Sequence, residues 1–394
     1  MDRAESRAER GRIFIFPGLT WDQIARVPGP LPISLASDQA TLYFNARAAL
    51  WHGLKRIGLI RGDRMLVPAY ACGSEIDVLR AYGLELDWYP ITPELVPDLA
   101  RLERVYDGRA AALFVIHYFG FPQPLTELVE FAHRHQLLLI EDTAHGLLSA
   151  DRSGRALGSC GDLSIFSLYK TLPLADGGAM VLNTSASSAD AERGVGPSLR
   201  HSVGQSRLLL QRTLGPRFPR LADLLVMPLR PQTRRTARTP VDSAASRSDT
   251  AIAPAFDPVR SDWRMSAFSR WLLARVAHGT VALRRRENYQ RLGAQLDAGP
   301  RFRPLFASLP VGTCPLMFPV LQSPGTTGLR AWLNAHGVEC HGFGFDNPAI
   351  PRIGFEWEAT LKAQIVCLPV HQELASGQVD YLAAVLNQWQ RQHH

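Results

Sequence analysis

Between residues 42 and 183 short apolar runs alternate with amphipathic stretches, and this alternation constrains the fold more than any other feature of the chain. The apolar runs at residues 64–68, 110–117 and 137–142 predict β-strands, while residues 48–57 and 125–135 have helical spacing of apolar side chains. Strands and helices in this order predict βαβ units and a largely parallel sheet covered by helices on both faces. In such sheets ligands bind at the carboxyl ends of the strands, so residues far apart in sequence can share one site.

The rest of the chain predicts two further regions. Residues 207–262 are rich in arginine, proline, serine and threonine, which indicates an irregular insertion or linker. Its leucines and arginines could lie on an anionic membrane surface, but packing against a neighbouring subunit is the favoured interpretation. A long helical pattern follows residue 265, and strands are predicted around residues 316–321 and 364–368.

We therefore predict three parts. The first part, residues 1–206, holds an N-terminal segment and a large cofactor-binding domain. The second part, residues 207–262, is the basic insertion or linker. The third part, residues 263–394, holds a connecting helix and a small C-terminal domain.

Composition narrows the function classes only modestly. A hydrophobic fraction of 46% is ample for a folded core, and a formal charge of +7 fits an anionic ligand, a nucleic acid or a membrane surface equally well. The basic insertion lacks interleaved aromatic residues and any groove-reading motif, so nucleic-acid binding is not favoured.

Cysteine usage and the chain ends predict a cytoplasmic protein. The five cysteines lie far apart without a Cys-x-x-Cys pair, which is typical of free thiols in a reducing compartment and indicates no metal site. The charged N-terminus does not resemble a secretory signal, and no apolar run is long enough to span a bilayer.

Lys170 stands out because the chain uses arginine for almost every positive charge. Only three of its 43 basic residues are lysines. An amine that attacks a carbonyl must lose its proton, which a lysine can do and an arginine cannot. Lys55 and Lys362 lie in helix-like stretches, whereas Lys170 follows an apolar run and precedes a proline and two glycines. This context predicts a strand end that enters a loop, carrying either a reactive amine or a lysine that merely extends to solvent.

Asp142 follows another apolar run and is also predicted to lie at a strand end. A lysine and a carboxylate together suit pyridoxal phosphate, which needs an amine for covalent attachment and an acid beside its ring nitrogen. His145 could then contact the ring face or its phenolic oxygen. Taken alone, Asp142 could equally cap a turn, and His145 could be an ordinary surface histidine.

Two segments could bind the phosphate of such a cofactor. Ser167 precedes Lys170 by three residues, and a helix is predicted to begin near Asn45, Ala46 and Arg47. Hydroxyl groups and the amides of a helix N-terminus both suit a phosphate. Asn45 also suits a plain helix cap, and the Ser167 hydroxyl could equally bond to backbone.

Seven blocks of sequence, in order, resemble the DegT/StrS-type sugar aminotransferases, a family of fold-type I pyridoxal-phosphate enzymes. The blocks are residues 45–50, 62–70, 117–120, 141–145, 161–178, 285–289 and 368–372. The resemblance implies an α/β fold in which a large domain has a mostly parallel central sheet flanked by helices, followed by a smaller C-terminal α/β domain.

The resemblance also implies roles for individual residues. Lys170 would attach the cofactor covalently, Asp142 would pair with its ring nitrogen, and His145 would lie near the ring oxygen. Ser167 and the backbone amides of the first helical turn would bind the phosphate; that turn contains Ala46 and Arg47. The segment from Tyr70 to Cys72 would supply a side chain that stacks on the ring.

For the whole protein the resemblance implies a homodimer with shared active sites. An amino donor such as glutamate would supply nitrogen to the keto group of a nucleotide-linked sugar, in polysaccharide, cell-surface glycan or secondary-metabolite biosynthesis. A family branch that performs dehydration has histidine at the lysine position, so Lys170 favours the aminotransferases.

Three alternatives compete with this interpretation. Ser167 and Lys170 also form the Ser-x-x-Lys motif of penicillin-binding proteins and β-lactamases, but the Lys-Thr-Gly element that those enzymes need is absent from the sequence. An enzyme of this fold could act on a carbonyl that is not a sugar. A protein could also keep the fold as a non-catalytic binding or regulatory module.

Overall fold

The computed structural model describes residues 12–20, 35–36, 40–183, 195–218, 222 and 256–392. Its strands are β1 (Ala40–Tyr43), β2 (Arg64–Pro68), β3 (Glu85–Tyr89), β4 (Ala110–Ile116), β5 (Leu138–Asp142), β6 (Leu163–Ser167), β7 (Gly178–Leu182), β8 (Phe302–Pro304), β9 (Met317–Gln322) and β10 (Ile365–Pro369). Its α-helices are α1 (Ala46–Arg56), α2 (Ser74–Tyr82), α3 (Leu99–Val105), α4 (Leu125–Arg134), α5 (Leu168–Thr171), α6 (Leu199–Leu214), α7 (Ala267–Leu273), α8 (Val281–Gln295), α9 (Leu329–Ala335), α10 (Glu356–Gln364) and α11 (Ser376–Gln392).

Within these residues a seven-stranded sheet has the order β1-β7-β6-β5-β4-β2-β3. The five neighbouring strands β6, β5, β4, β2 and β3 run parallel to one another, while β7 pairs antiparallel with both β6 and β1. The parallel strands are buried and rich in Leu, Ile, Val and Ala, as expected where helices cover both faces. The predicted α/β fold with a mostly parallel central sheet is therefore confirmed.

Strand direction brings several chain segments to one edge of this sheet. The parallel strands β4, β5 and β6 end there, and the antiparallel strand β7 begins there because Gly178 pairs with Ser167. Helix α1 also starts at this edge. A side-chain carbon at Gly178 would lie 2.1 Å from the carbonyl carbon of Asn45, so only glycine permits this close approach.

A smaller sheet follows in the C-terminal region. The strands have the antiparallel order β10-β9-β8, and α11 packs against α8. Buried residues of the small sheet join the same apolar cluster as residues of the large sheet. The domain boundaries at 206 and 262 stay predictions.

Three sequence-based expectations on local structure were wrong. Lys170 does not enter a loop directly but lies on the single-turn helix α5, and the long helix expected after residue 265 is two helices, α7 and α8. The start of the predicted irregular insertion, residues 207–214, continues helix α6. Most of that insertion, including residues 223–255, lies outside the described residues.

None of the helices in the described ranges combines the length and the apolar character needed to cross a membrane.

Candidate active site

A cavity of about 490 Å³ opens at the sheet edge where β5 and β6 end. Seven of the eight residues proposed from the sequence line it: Ala46, Arg47, Cys72, Asp142, His145, Ser167 and Lys170. The eighth, Tyr70, is not part of the lining. Its ring is buried and stacks on that of Phe343, with 4.7 Å between the ring centroids.

Helix α5 positions Lys170, and a buried arginine fixes that helix. The Arg285 guanidinium, 1% exposed, donates to the carbonyl oxygen of Thr171 (3.0 Å), to that of Leu316 (2.9 Å) and to Oε1 of Gln372 (2.8 Å). Gln372 in turn donates to the Thr171 carbonyl. Two of the C-terminal sequence blocks therefore hold the turn that carries the lysine.

Lys170 Nζ lies 3.1 Å from Nε2 of His145. Burial, followed by the charge of Lys170, lowers the pKa of His145 well below its ordinary value, so the imidazole is neutral near pH 7. Nδ1 of this ring accepts the backbone N–H of Phe119 at 3.2 Å, so Nε2 carries the single ring proton. The Lys170 amine and the neutral imidazole therefore face each other within hydrogen-bond distance.

An unusual backbone conformation at Phe119 supports this arrangement. Phe119 has φ of 55°, which is the left-handed region that residues with a side chain seldom adopt. Its carbonyl oxygen accepts the N–H of Leu316 at 2.8 Å, so the C-terminal region helps to hold the conformation that aims the Phe119 N–H at His145.

Asp142 is the last residue of β5 and is 7% exposed. Burial, and then the nearby carboxylate of Glu75, raise the pKa of Asp142 to about 6. The N–H of Ala144 donates to its Oδ1 at 2.9 Å and Lys170 also favours the anion, but both effects are smaller. A protonated ring nitrogen placed beside Asp142 would stabilise the carboxylate and reverse this shift.

Directly before Asp142, Glu141 forms a buried polar anchor. Its Oε2 lies 2.9 Å from Nε2 of His117, and its two oxygens accept the N–H groups of Gly158, Cys160 and Gly161. Burial alone would raise the pKa of Glu141, but these donors together lower it. The carboxylate is thus a structural anion that ties the loop at 158–161 to the end of β5.

The protein groups that are proposed to bind the cofactor phosphate lie at the starts of two helices. Asn45 caps α1 by accepting the N–H of Ala48 at 2.9 Å, and Ala46 and Arg47 occupy the first turn, whose N–H groups have no partner within a helix. Ser167 stands immediately before α5, and its side chain does not cap that helix. A helix cap at Asn45 and an anion site at the first turn of α1 are compatible in this geometry.

Sequence reasoning missed several residues of the cavity lining. Glu75 accepts the N–H of Cys72 at 2.7 Å and is buried beside the site. Asp176, His201 and Trp263 also line the cavity. Asp176 lies within the block 161–178 and Glu75 follows the block 62–70 closely, so both could have been suspected, but no motif marks His201 or Trp263.

Comparison with known proteins supports the family resemblance over part of the chain. Residues 35–204 match the model of the DegT/DnrJ/EryC1/StrS aminotransferase family. Over these residues the chain is similar to that family. The match confirms the resemblance drawn from the seven sequence blocks, of which five fall within it.

Named relatives of the chain include sugar and cyclitol enzymes. It is 27% identical over 154 residues to the GDP-perosamine synthase of Escherichia coli O157:H7, which covers 36% of this chain and 40% of the relative. It is 32% identical over 174 residues to the L-glutamine:scyllo-inosose aminotransferase of Streptomyces griseus, covering 42% and 40% of the two chains. The chain thus spans about two fifths of the length of these curated relatives.

Solved structures of the family share the fold over most of the chain. DesV from S. venezuelae superposes with a TM-score of 0.63 at 19% identity, covering 92% of this chain and 87% of DesV. PseC from Helicobacter pylori gives a TM-score of 0.65 at 15% identity, covering 96% and 99%. At these identities the likeness establishes the fold alone.

Proposed function

We propose that this protein is a pyridoxal-phosphate-dependent aminotransferase. It would move an amino group from a donor such as glutamate to the keto group of a nucleotide-linked sugar, in polysaccharide, cell-surface glycan or secondary-metabolite biosynthesis. The observation that carries the proposal is the pairing of Lys170 with neutral His145 in one cavity with buried Asp142. The names of the sugar-modifying relatives and a Streptococcus pneumoniae relative solved in a PLP form support it.

The residues of the cavity fit the cofactor. An amine, a buried carboxylate and a helix N-terminus meet the three needs of pyridoxal phosphate, namely covalent attachment, a partner for the ring nitrogen and a phosphate site. Gly178 keeps the first turn of α1 close to β7, because any side chain there would collide with Asn45. When bound, the cofactor supplies an electron sink that makes the bond between carbon and hydrogen beside the amino group acidic.

Each proposed residue then has one task. Asp142 holds a proton at the ring nitrogen through its carboxylate, while Ser167 and the amides of Ala46 and Arg47 bind the phosphate. Lys170 Nζ attaches the cofactor and, once released, moves a proton at the substrate carbon. Overall the donor exchanges its amino group for the keto oxygen of the acceptor, so no external oxidant or reductant is consumed.

His145 keeps the lysine amine ready for this work. Its Nε2 lies 3.1 Å from Nζ, and its Nδ1 accepts the backbone N–H of Phe119. The ring is half-buried in the cavity lining, where it holds the amine in place. We propose further that the protein acts as a homodimer in the cytoplasm, as the family resemblance implies, with the active sites shared between subunits.

The first test is covalent attachment at Lys170. Purified protein incubated with pyridoxal phosphate should show the visible absorption of the lysine-bound cofactor, and an amino donor should change that spectrum. Borohydride reduction followed by peptide mapping should place the cofactor on Lys170. Lys170→Ala should lose both the spectrum and all transamination, whereas Lys55→Ala should retain them.

A colourless protein that ignores added cofactor would contradict the proposal. Attachment at Lys55 or Lys362 instead of Lys170 would overturn the assignment of the site. A non-catalytic module of the same fold would keep its binding role in Lys170→Ala.

A further inference from the structure

One wall of the cavity is formed by residues at or beside the two ends of the segment 207–262. Helix α6 contributes His201 before the segment, the end of the segment contributes Arg260, and Trp263 follows directly after it. Together with Phe44, which directly follows β1, these four residues form what we term the aromatic wall. It lies in the same cavity as Lys170 and Asp142, and the proposed mechanism uses none of its side chains.

The rings of the aromatic wall pack edge to face. The Trp263 ring centroid lies 4.7 Å from that of His201 and 5.5 Å from that of Phe44. The N–H of Phe44 donates to the Trp263 carbonyl at 2.9 Å, which docks the returning chain beside the start of α1. Phe44 is buried, but His201 and Trp263 are only half-buried, so part of their ring surface faces the cavity.

Charge at the aromatic wall is nearly balanced. Arg260 forms an ion pair with Asp257, its guanidinium lies 5.7 Å from the Trp263 centroid, and its Nη1 donates to Nε2 of His201 at 3.3 Å. Burial, and then the charges of Arg260 and Arg200, lower the pKa of His201, so this ring is neutral near pH 7. The wall therefore offers ring surface and polar edges more than net positive charge.

Asp176 lines the same cavity as the aromatic wall and Lys170. It is 3% exposed, lines the cavity, and accepts the N–H of Ser266 at 3.0 Å through Oδ1. Its other oxygen, Oδ2, is buried and has no hydrogen-bond partner among the described residues. Burial raises the pKa of Asp176; the hydroxyls of Ser266 and Ser269 oppose that shift without forming a hydrogen bond to Oδ2.

A buried acceptor without a partner is costly unless a ligand supplies the donor. A carboxylate that can accept from a hydroxyl, in one cavity with aromatic rings that pack on carbon and hydrogen, suits a ring bearing several hydroxyl groups. A phosphate would be repelled by Asp176, and Arg260 is already paired with Asp257. Unlike a phosphate or a plain ketone, a hydroxylated ring can donate a hydrogen bond to Asp176 and also pack against the rings of the aromatic wall.

We infer that Asp176 and the aromatic wall bind the acceptor substrate through its polyhydroxylated ring. A ring hydroxyl donates to Oδ2 of Asp176, and Trp263 and His201 pack against the apolar face of the ring. This inference rests on the proposed function and adds the residues that select the acceptor. The amino donor, which reacts in a separate half-reaction, does not need these contacts.

Measuring the two half-reactions separately distinguishes residues that bind the acceptor from residues that both half-reactions need. With the cofactor-loaded full chain, the donor half-reaction is followed by the spectral change that glutamate causes in the absence of an acceptor. The acceptor half-reaction is then followed with scyllo-inosose, with a UDP-linked keto sugar, and with cyclohexanone, which has a ring ketone but no hydroxyls. We expect reaction with at least one hydroxylated ketone and essentially none with cyclohexanone, because a site built to bind a hydroxyl rejects analogues that lack it.

Variants test the named residues. Asp176→Asn and Trp263→Ala should each raise the half-saturating acceptor concentration about tenfold while the donor half-reaction changes less than about twofold. Trp263→Phe should recover most of the loss because it keeps ring surface. Trp271→Ala is the matched control, since Trp271 also lies under an arginine, Arg275 at 4.6 Å, but does not line the cavity. Asp162→Asn controls for loss of a carboxylate that accepts a backbone N–H.

Three outcomes would overturn the inference. They are equal loss in both half-reactions for Asp176→Asn and Trp263→Ala, reaction with cyclohexanone as good as with the hydroxylated ketones, and a normal donor half-reaction with no reaction of any hydroxylated ring. If wild-type protein lacks the donor half-reaction itself, the aminotransferase proposal fails instead. The two failures are therefore distinguishable.

Discussion

At the scale of single residues, the site separates two carboxylates by their tasks. Glu141 is saturated with hydrogen bonds and has a lowered pKa, whereas its neighbour Asp142 faces the cavity with a raised pKa. Adjacent residues on a strand point to opposite sides, so the Glu141 side chain anchors a loop while the Asp142 side chain can pair with a cation in the cavity. Glu75 adds to the raised pKa of Asp142 from across the cavity.

This arrangement predicts how cofactor affinity depends on pH. Below pH 6 Asp142 carries a proton in the empty site and cannot pair with a protonated ring nitrogen, so affinity should rise as the pH increases through about 6. Glu75→Gln removes a nearby negative charge, lowers the pKa of Asp142, and should shift this rise to lower pH. The measurement is the dissociation constant of pyridoxal phosphate between about pH 5 and 8.

The shift between variants is the diagnostic quantity, because the phosphate group of the cofactor also titrates near pH 6. Glu94→Gln, at an exposed position outside the cavity, should leave the curve unchanged. Identical curves for wild type and Glu75→Gln would refute the coupling.

At the scale of elements, α5 is a single turn that cannot be stable alone. Arg285 from α8 and Gln372 from the segment after β10 hold its carbonyl groups, so the orientation of Lys170 depends on helices and strands far away in sequence. No carboxylate among the described residues forms an ion pair with the buried Arg285 guanidinium, and burial lowers the pKa of Arg285. Its fork of donors is what makes the arrangement tolerable.

Arg285→Lys should therefore fail although it keeps the charge. A single ammonium cannot reach the carbonyls of Thr171 and Leu316 together with Gln372, so we expect a loss of about 3 kcal/mol in the free energy of unfolding. Lysine-bound cofactor absorption should weaken in parallel. Arg284→Lys, one position earlier and exposed, should change neither denaturant unfolding nor absorption. Equal behaviour of the two variants would rule out the clamp.

At the scale of the whole molecule, the C-terminal region completes the cavity of the large sheet. Phe343 lines the cavity and packs on Tyr70, and the N–H of Phe345 donates to the Cys72 carbonyl at 3.0 Å. Between them Gly344 has φ of 69°, and a side-chain carbon there would lie 2.1 Å from the Cys72 oxygen. The two regions meet backbone to backbone at the loop that bears Cys72.

Gly344→Ala should separate these two regions. Gly354 is a matched control, because it also has a positive φ, 81°, but nothing lies within 4 Å of a side-chain carbon there. Gly354→Ala should cost about 1 kcal/mol from backbone strain alone, and Gly344→Ala should cost about 3 kcal/mol more. Thermal unfolding measures the difference, and equal losses would show that the contact carries little stability.

Sequence patterns predicted those parts of the site that lie on regular elements. Asp142 ends a strand whose apolar run is plain in the sequence, and the first turn of α1 follows from a capping residue, Asn45. The patterns missed α5, because four residues carry no helical periodicity and the turn exists only through Arg285. They also missed Trp263, whose place in the cavity depends on docking of its backbone to Phe44. Such tertiary contacts leave no local signature.

The position of the aromatic wall, on chain segments separate from β5 and α5, has a consequence for how such a protein can change over generations. Substitutions at His201, Arg260 or Trp263 alter one face of the cavity and leave the contacts among Lys170, His145 and Arg285 intact. Selection can therefore change the choice of acceptor without altering the residues proposed to carry the chemistry.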